Sequence, residues 1–243
     1  NDFLLWLRVE RGRAASTLES YKRDLMKFEH WIAGQNLSIE SIKESDIIKF
    51  LRHLQSEGFA QSTVARTMVS VRSFFKFLTV EELRTDNPTE SVELPRVSRG
   101  LPKPISESEV NAILSSVEGD SAAERRDKAI LEILYGTGAR ISEVVHLSLG
   151  DIDSYEGLLK LLGKGNKERI VPLGSYAMRA LLHWLEPDGR GMFEPEQWSS
   201  RDDSEAVFLN RRGGRLTRQG GWGIVKKYGA LVGLGARLSP HTL

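Results

Sequence analysis

Between Leu94 and Pro104 the hydrophobic pattern of this chain stops. The stretch Leu94-Pro95-Arg96-Val97-Ser98-Arg99-Gly100-Leu101-Pro102-Lys103-Pro104 has three prolines and three basic residues. Neither a helix nor a strand can run through it, because proline fixes φ, lacks an N–H and restricts the residue before it. It reads as an inter-domain linker, stiff at its prolines and free at Gly100. A length of 243 residues leaves each side enough chain for a core of its own. The expected organisation is a domain over residues 1–97, a linker over 98–105 and a second domain over 106–243.

Before the break the apolar period is helical. Phe3, Leu4 and Leu7 predict a short opening helix. Ser16-Thr17-Leu18-Glu19 reads as a capping box, followed by Leu18, Tyr21, Leu25, Phe28 and Ile32 at helical spacing. A third helix is predicted over Glu44 to Gln55, burying Ile47, Ile48, Leu51 and Leu54. A fourth starts near Ser62, carries Val64, Met68, Val71, Phe75 and Leu78, and ends around Glu82. Four amphipathic helices with short connections can enclose one core. Asn87-Pro88 closes the region. Between the stripes, Lys22, Arg23, Arg66, Arg72 and Lys76 remain for a polar face, where each serves solubility or, as a group, contacts phosphates.

After the break the pattern is mixed. Ser106-Glu107-Ser108-Glu109 is another capping-box pattern and opens a helix to about Val117. A helix over Ala122 to Tyr135 is broken by Gly136-Thr137-Gly138, and a shorter one runs from Arg140 to Leu147. Then the period changes: Gly157 to Leu162 and Arg169 to Leu173 predict two strands around the turn-forming Gly163-Lys164-Gly165-Asn166-Lys167. Further elements are a helix from Tyr176 to Leu185, a short strand at Ala206 to Leu209, and a helix capped by Thr217 and reaching Val232. Ser239-Pro240-His241 reads as the opening of one more helix. The fold class is mainly α, with a small antiparallel sheet in the second domain.

A net charge of +1 hides a skewed distribution. From Ala206 to Leu243 there are seven basic residues, Arg211, Arg212, Arg215, Arg218, Lys226, Lys227 and Arg237, and no acidic one. Lys160, Lys164, Lys167 and Arg169 are opposed locally only by Glu168. Local fields of this kind attract polyanions, although acids elsewhere in space can balance them. The absence of cysteine excludes disulfides and thiolate chemistry and suits a reducing, cytoplasmic setting. The opening NDFLLWLRVERGR does not read as a signal peptide, and no run of 18 apolar residues predicts membrane insertion. Gly163-Lys164-Gly165 lacks Walker spacing, and His30, His53, His146, His183 and His241 form no HExxH pattern. No cofactor and no metal are expected.

Three residues at element boundaries stand out: Arg140 at a helix start after a glycine break, Lys164 at a hairpin tip, and His241 at a second helix start. Converging on one point they would suit a phosphodiester. Arginine neutralises nonbridging oxygens, lysine hands a proton to a departing oxygen, and histidine donates a hydrogen bond or a proton. Each has a plainer reading: Arg140 pairing with Glu143 one turn on, Lys164 serving solubility, His241 being structural.

At these positions the chain resembles the tyrosine recombinase (phage-integrase-like) family, in particular the bacterial Xer recombinases. The resemblance lies in Gly136-Thr137-Gly138-Ala139-Arg140-Ile141-Ser142-Glu143, in Gly163 through Leu173, and in Leu238-Ser239-Pro240-His241-Thr242-Leu243. Ser16-Thr17, Tyr21 and Asp24-Leu25 resemble the Xer core-binding domain. Leu216 to Gly220, Trp222 and Lys226-Lys227-Tyr228 lean toward the XerD branch. The resemblance implies a helical core-binding domain and a catalytic domain clamped around DNA, with Arg140, Lys164 and His241 as catalytic residues. Lys22, Arg23, Arg66, Arg72, Lys76, Lys167, Arg218, Gln219 and Lys226 are then the DNA-binding candidates. A second arginine, a further histidine or tryptophan, and the nucleophilic tyrosine are expected beyond Leu243, so residues 1–243 alone are expected to be inactive. The partners it implies are a double-stranded recombination site, a related recombinase in a tetrameric synaptic complex, and a DNA-translocase activator. The function it implies is site-specific recombination in chromosome dimer resolution. The alternatives are a mobile-element integrase and a DNA-binding accessory protein without catalysis.

Overall fold

The apolar stripes of the first hundred residues become four helices: α1 (Asp2–Val9), α2 (Ala15–Gly34), α3 (Glu44–Ser56) and α4 (Gln61–Val80). The structure is a computed structural model that describes residues 2–95, 104–163, 165, 167–235 and 237–238. Its contacts divide into two units, Asn1–Gly100 and Leu101–Leu243.

In the first unit, α2, α3 and α4 enclose a core of Phe28, Trp31, Ile32, Ile47, Phe50, Leu54, Val64, Met68, Val71 and Phe75. Phe28 meets Phe50 edge-on at 4.9 Å between centroids and Phe75 at 5.9 Å, the tilted geometry that ring quadrupoles favour. Helix α1 adds a smaller cluster in which Phe3 and Leu7 pack on Phe77. Ile48 and Leu51 of α3 are only half-buried, and Phe50 takes the central place instead. The capping box expected at Ser16 does not form. The N-cap is Ala14, which makes no side-chain cap bond, and Ser16 lies inside the first turn with Ser20 bonding back to its carbonyl.

One carboxylate ties α2 to α4. Asp24 is fully buried and accepts from Arg66 Nε (3.1 Å) and Nη2 (3.0 Å), Thr67 Oγ1 (3.2 Å), Ser70 Oγ (3.1 Å) and Lys27 Nζ (3.2 Å). A buried charge persists only when paired and saturated in this way. Arg66 is therefore committed to Asp24. Arg72 is turned inward, donating through Nη2 to the carbonyls of Thr89 (3.2 Å) and Val92. Arg72 thus runs against the expectation of a free polar face, whereas Arg66 is tethered to Asp24 but stays exposed, with 52% of its side chain in solvent. Lys22, Arg23 and Lys76 are exposed and make no ion pair among the described residues.

The second unit holds α5 (Glu107–Ser115), α6 (Ala122–Thr137), α7 (Ile141–Val145), α8 (Ser175–Leu185), α9 (Arg201–Glu205) and α10 (Arg218–Leu231). Its sheet is β1 (Ile152–Asp153), β2 (Leu158–Leu162) and β3 (Glu168–Pro172), antiparallel in the order β1-β2-β3. The Ser106 capping box forms: Ser106 Oγ accepts from the Glu109 N–H at 3.2 Å, and Glu109 accepts from the Ser106 N–H at 2.8 Å. Thr217 caps α10 by accepting from the Gly220 N–H at 3.0 Å. The core gathers α6, α7, α8 and α10 around Ile130, Ile133, Val144, Leu159, Leu161, Leu181 and Trp184.

Ala206 to Leu209 is fully buried, yet it is no strand: it bends at Val207 and Phe208, and its ends make only single bridges, Ser148 to Ala206 and Leu209 to Arg215. Side chains satisfy three of its carbonyls, Arg190 Nε on Ala206 (3.0 Å), Trp184 Nε1 on Val207 (2.9 Å) and Arg126 Nη1 on Leu209 (3.1 Å), while the Phe208 carbonyl accepts from the Leu216 N–H at 2.8 Å. Short elements such as β1, α9 and the 3-10 turns Leu149–Asp151 and Arg190–Phe193 escaped the sequence reading, because two to five residues carry no measurable period.

Candidate active site

Helix α6 ends at Gly138, whose φ of +60° puts it in the left-handed region that costs other L-residues about 1–2 kcal/mol. That turn reverses the chain and sets Arg140 as the N-cap of α7. Glu143, one turn later, folds back to accept the Arg140 backbone N–H at 2.8 Å (Oε2) and Arg140 Nη1 at 3.0 Å (Oε1). The plain pairing of Arg140 with Glu143 is therefore present, but it is only part of the site.

Strand β3 delivers a second guanidinium to the same carboxylate. Arg169 Nη1 donates to Glu143 Oε1 at 2.8 Å and Nη2 to Oε2 at 2.7 Å, a bidentate fork. Glu143 is only 4% exposed. The Arg169 fork outweighs burial, and with the Arg140 bonds it holds the Glu143 carboxyl at about 2, below its ordinary 4.5. The same contact raises Arg169 further above its ordinary value. The hairpin root abuts this pair. Gly163 donates to the Lys167 carbonyl at 2.8 Å, and a Cβ at Gly163 would stand 3.4 Å from both Arg169 Nη1 and Glu143 Oε1.

Glu143 thus joins a helix start to a hairpin root, the two segments expected to carry Arg140 and Lys164. Lys164 and His241 lie outside the described residues. Sequence reasoning treated Glu143 only as a competitor for Arg140 and Arg169 only as one charge in a basic cluster. Two signals were available. Arg140-x-x-Glu143 at a helix start has capping-box spacing, and Arg169 shares the period-2 face of Val171, opposite the exposed Ile170. An arginine on the inward side of a strand calls for a carboxylate.

The basic clusters are only partly available. Arg215 donates to the Leu147 carbonyl (2.9 Å), Ser148 Oγ (3.0 Å) and Asp202 (3.0 Å). Lys227 lies 3.4 Å from Asp127, and Arg237 pairs with Glu109 at 2.5 Å. Lys160 sits between Asp151 (3.3 Å) and Glu168 (3.8 Å). Lys167, Arg218, Gln219 and Lys226 are exposed. Helix α10 packs tightly on α7 at Gly221, where a Cβ would meet Val145 Cγ1 at 2.8 Å and Ile141 Cδ1 at 2.9 Å. The helix that displays Arg218 and Gln219 is thereby fixed against the helix that Arg140 begins. Tyr228 is buried; its hydroxyl donates to Asp127 at 3.2 Å and accepts from Lys227 at 2.9 Å, and burial pushes it up from its ordinary value.

Both units match known families. The phage integrase family model matches residues 103–243, and the phage integrase N-terminal SAM-like domain matches residues 1–82. The tyrosine recombinase XerD of Halalkalibacterium halodurans is 39% identical over 243 residues, covering 99% of this chain and 79% of that protein. The tyrosine recombinase XerC of Herpetosiphon aurantiacus is 42% identical over 243 residues, covering 99% and 77%. Among solved structures, the XerH site-specific recombinase bound to palindromic difH substrate superposes with a TM-score of 0.71 at 20% identity, over 96% of this chain and 67% of that one.

Proposed function

The chain belongs to the phage integrase family of tyrosine recombinases and is closely related to the XerC and XerD recombinases, and from that membership we propose that it resolves chromosome dimers. The reaction of this class is site-specific DNA recombination by tyrosine-mediated cleavage and rejoining. The observation that carries the reading to residues is the Arg140–Glu143–Arg169 cluster at the junction of a helix start and a hairpin root.

In this reading a tyrosine oxygen attacks the scissile phosphorus, the bond to the 5′ oxygen breaks, and a 3′-phosphotyrosyl link forms. The 5′ hydroxyl of the partner strand later reverses the step, so bond energy is kept in the covalent intermediate. Arg140 meets the charge that builds on the nonbridging oxygens, Lys164 protonates the leaving 5′ oxygen, and His241 adds a hydrogen bond. A second arginine, a further histidine or tryptophan and the nucleophile lie, in this reading, C-terminal to Leu243; the buried, bonded hydroxyl of Tyr228 makes it a poor substitute. Each unit contributes DNA contacts, with Lys22, Arg23 and Lys76 from one and Lys167, Arg218, Gln219 and Lys226 from the other. Phosphate contacts supply affinity and a few groove-facing side chains supply site choice. The working assembly is a tetramer with a related recombinase, under the control of a DNA translocase, in the cytoplasm. Among the described residues no helix is long and apolar enough to cross a membrane.

The test is deletion between two directly repeated chromosomal dimer-resolution sites on a plasmid, using the intact recombinase and its Xer partner. Deletion is expected with the wild type. Arg140→Ala should lower cleavage on the order of 100-fold while leaving most of the DNA affinity. No deletion at such sites, with activity at a mobile-element attachment site instead, would overturn the chromosomal role.

A further inference from the structure

We propose that Arg169 is a positioning residue for strand cleavage, which takes up the Glu143 charge from the hairpin side and so keeps Arg140 turned outward for a phosphate. The inference rests on the reading above, in which Arg140 meets the scissile phosphate. An arginine three residues before a carboxylate at a helix start closes naturally into a neutral internal pair. A guanidinium consumed in that way has no net charge to lend to a developing phosphorane. Nothing in the Arg140–Glu143 spacing by itself prevents this.

The third member changes the charge balance. Two guanidinium groups and one carboxylate leave one positive charge over, and the geometry decides which arginine carries it. A carboxylate offers about four lone-pair sites. Arg169 takes two of them at 2.8 and 2.7 Å with its planar fork, and the Arg140 backbone N–H takes a third at 2.8 Å. The Arg140 side chain is left with a single bond, from Nη1 at 3.0 Å. Exposure follows the same order: the Glu143 side chain is 3% exposed, Arg169 38% and Arg140 62%. Arg140 is therefore tethered at one nitrogen and presents its remaining donors to solvent, where a phosphate would arrive. Arg169 is fixed in place because β3 pairs Arg169 with the buried Leu161 of β2 and turns its side chain inward.

Without Arg169, a buried carboxylate would be left beside one remaining guanidinium. The strongest arrangement open to it is a second fork, this time from Arg140, which closes the neutral pair. Arg169→Met should therefore behave like a loss of Arg140, although Arg140 is still present. Removing the carboxylate as well should undo the damage, since Gln at position 143 has no charge with which to capture Arg140.

The experiment is single-turnover cleavage by the intact recombinase, on a duplex recombination site with oxygen or sulfur at the bridging 5′ position. Arg169→Met should slow cleavage at least tenfold, on the scale of losing one charge-stabilising donor (about 100-fold), with DNA affinity within a few fold of wild type. The slowing should be equal on oxygen and sulfur, as for Arg140→Ala and unlike Lys164→Ala, which sulfur should rescue. The double variant Arg169→Met with Glu143→Gln should recover most of the lost rate, which a merely structural role for Arg169 would not produce. Should Arg169→Met not fold, Arg169→Gln, neutral but able to donate, replaces it with the same expectations. Wild-type rates for the Arg169 variant, a double variant no faster than the single, or rescue by sulfur would each overturn the proposal. If Arg140→Ala itself cleaves normally, the fault lies instead in the catalytic reading beneath it.

Discussion

Replacing Glu143 by glutamine removes one buried negative charge from between two arginines while keeping the side chain's size and one acceptor oxygen. The magnitude follows from the carboxyl's displacement. Its value falls from an ordinary 4.5 to about 2, which at about 1.4 kcal/mol per pH unit is about 3 kcal/mol of stability. The group is nearly inaccessible, so solvent does little to screen it. Because the folded value is depressed, this stability is fully present above pH 4.5 and is lost as pH falls toward 2. Urea unfolding of the wild type and Glu143→Gln, followed by circular dichroism and tryptophan fluorescence, measures the gap between them at each pH. It should be about 3 kcal/mol at pH 7 and shrink to about 1 kcal/mol at pH 3, where the wild-type carboxyl is neutral in the unfolded chain. A gap that stays constant across that range, or one below about 1 kcal/mol at pH 7, would refute the account. It would mean that Arg140 and Arg169 do as well with a neutral acceptor, and that Glu143 acts through its shape rather than its charge.

Gly221→Ala should destabilise the second unit by about 1–3 kcal/mol, because its Cβ would stand 2.8 Å from Val145 and 2.9 Å from Ile141; an unchanged Tm would show that α10 can ride away from α7 at no cost. Two arginines that the sequence treats alike should separate in a salt titration of duplex binding. Arg218→Ala should reduce the slope of log affinity against log salt by about 1, whereas Arg72→Met should leave the slope unchanged and lower the unfolding midpoint of the first unit, and the reverse pattern would reject both placements.

How much of this was legible beforehand divides along a physical line. Periodicity is local, so α2, α3, α4 and α6 could be read to within a few residues; residues 96–103 of the proline-basic stretch expected as a linker lie outside the described residues. The β2–β3 hairpin was legible because glycine-rich, turn-forming residues separate two short apolar runs. Caps were legible only where a side chain had no rival. Ser106 and Thr217 cap as read, while Ser16 was overtaken when the helix began earlier, at Ala15. Arg140 could be singled out because a glycine break and a helix start are both visible in one dimension. What sequence could not supply was the partner of each buried charge. Asp24 holds Arg66 from 42 residues away, and Glu143 holds Arg169 from 26. The Ala206–Leu209 segment hydrogen-bonds to Trp184, Arg190 and Arg126 in place of a strand. A carboxylate removed from water must find a cation, and a buried carbonyl must find a donor, but which one it finds depends on the elements packed beside it. The chain's own pattern therefore determined the helices, the hairpin and the place of Arg140. Tertiary packing alone decided which basic residues are consumed inside the fold and which remain exposed, because that choice is made by distances between segments far apart in sequence.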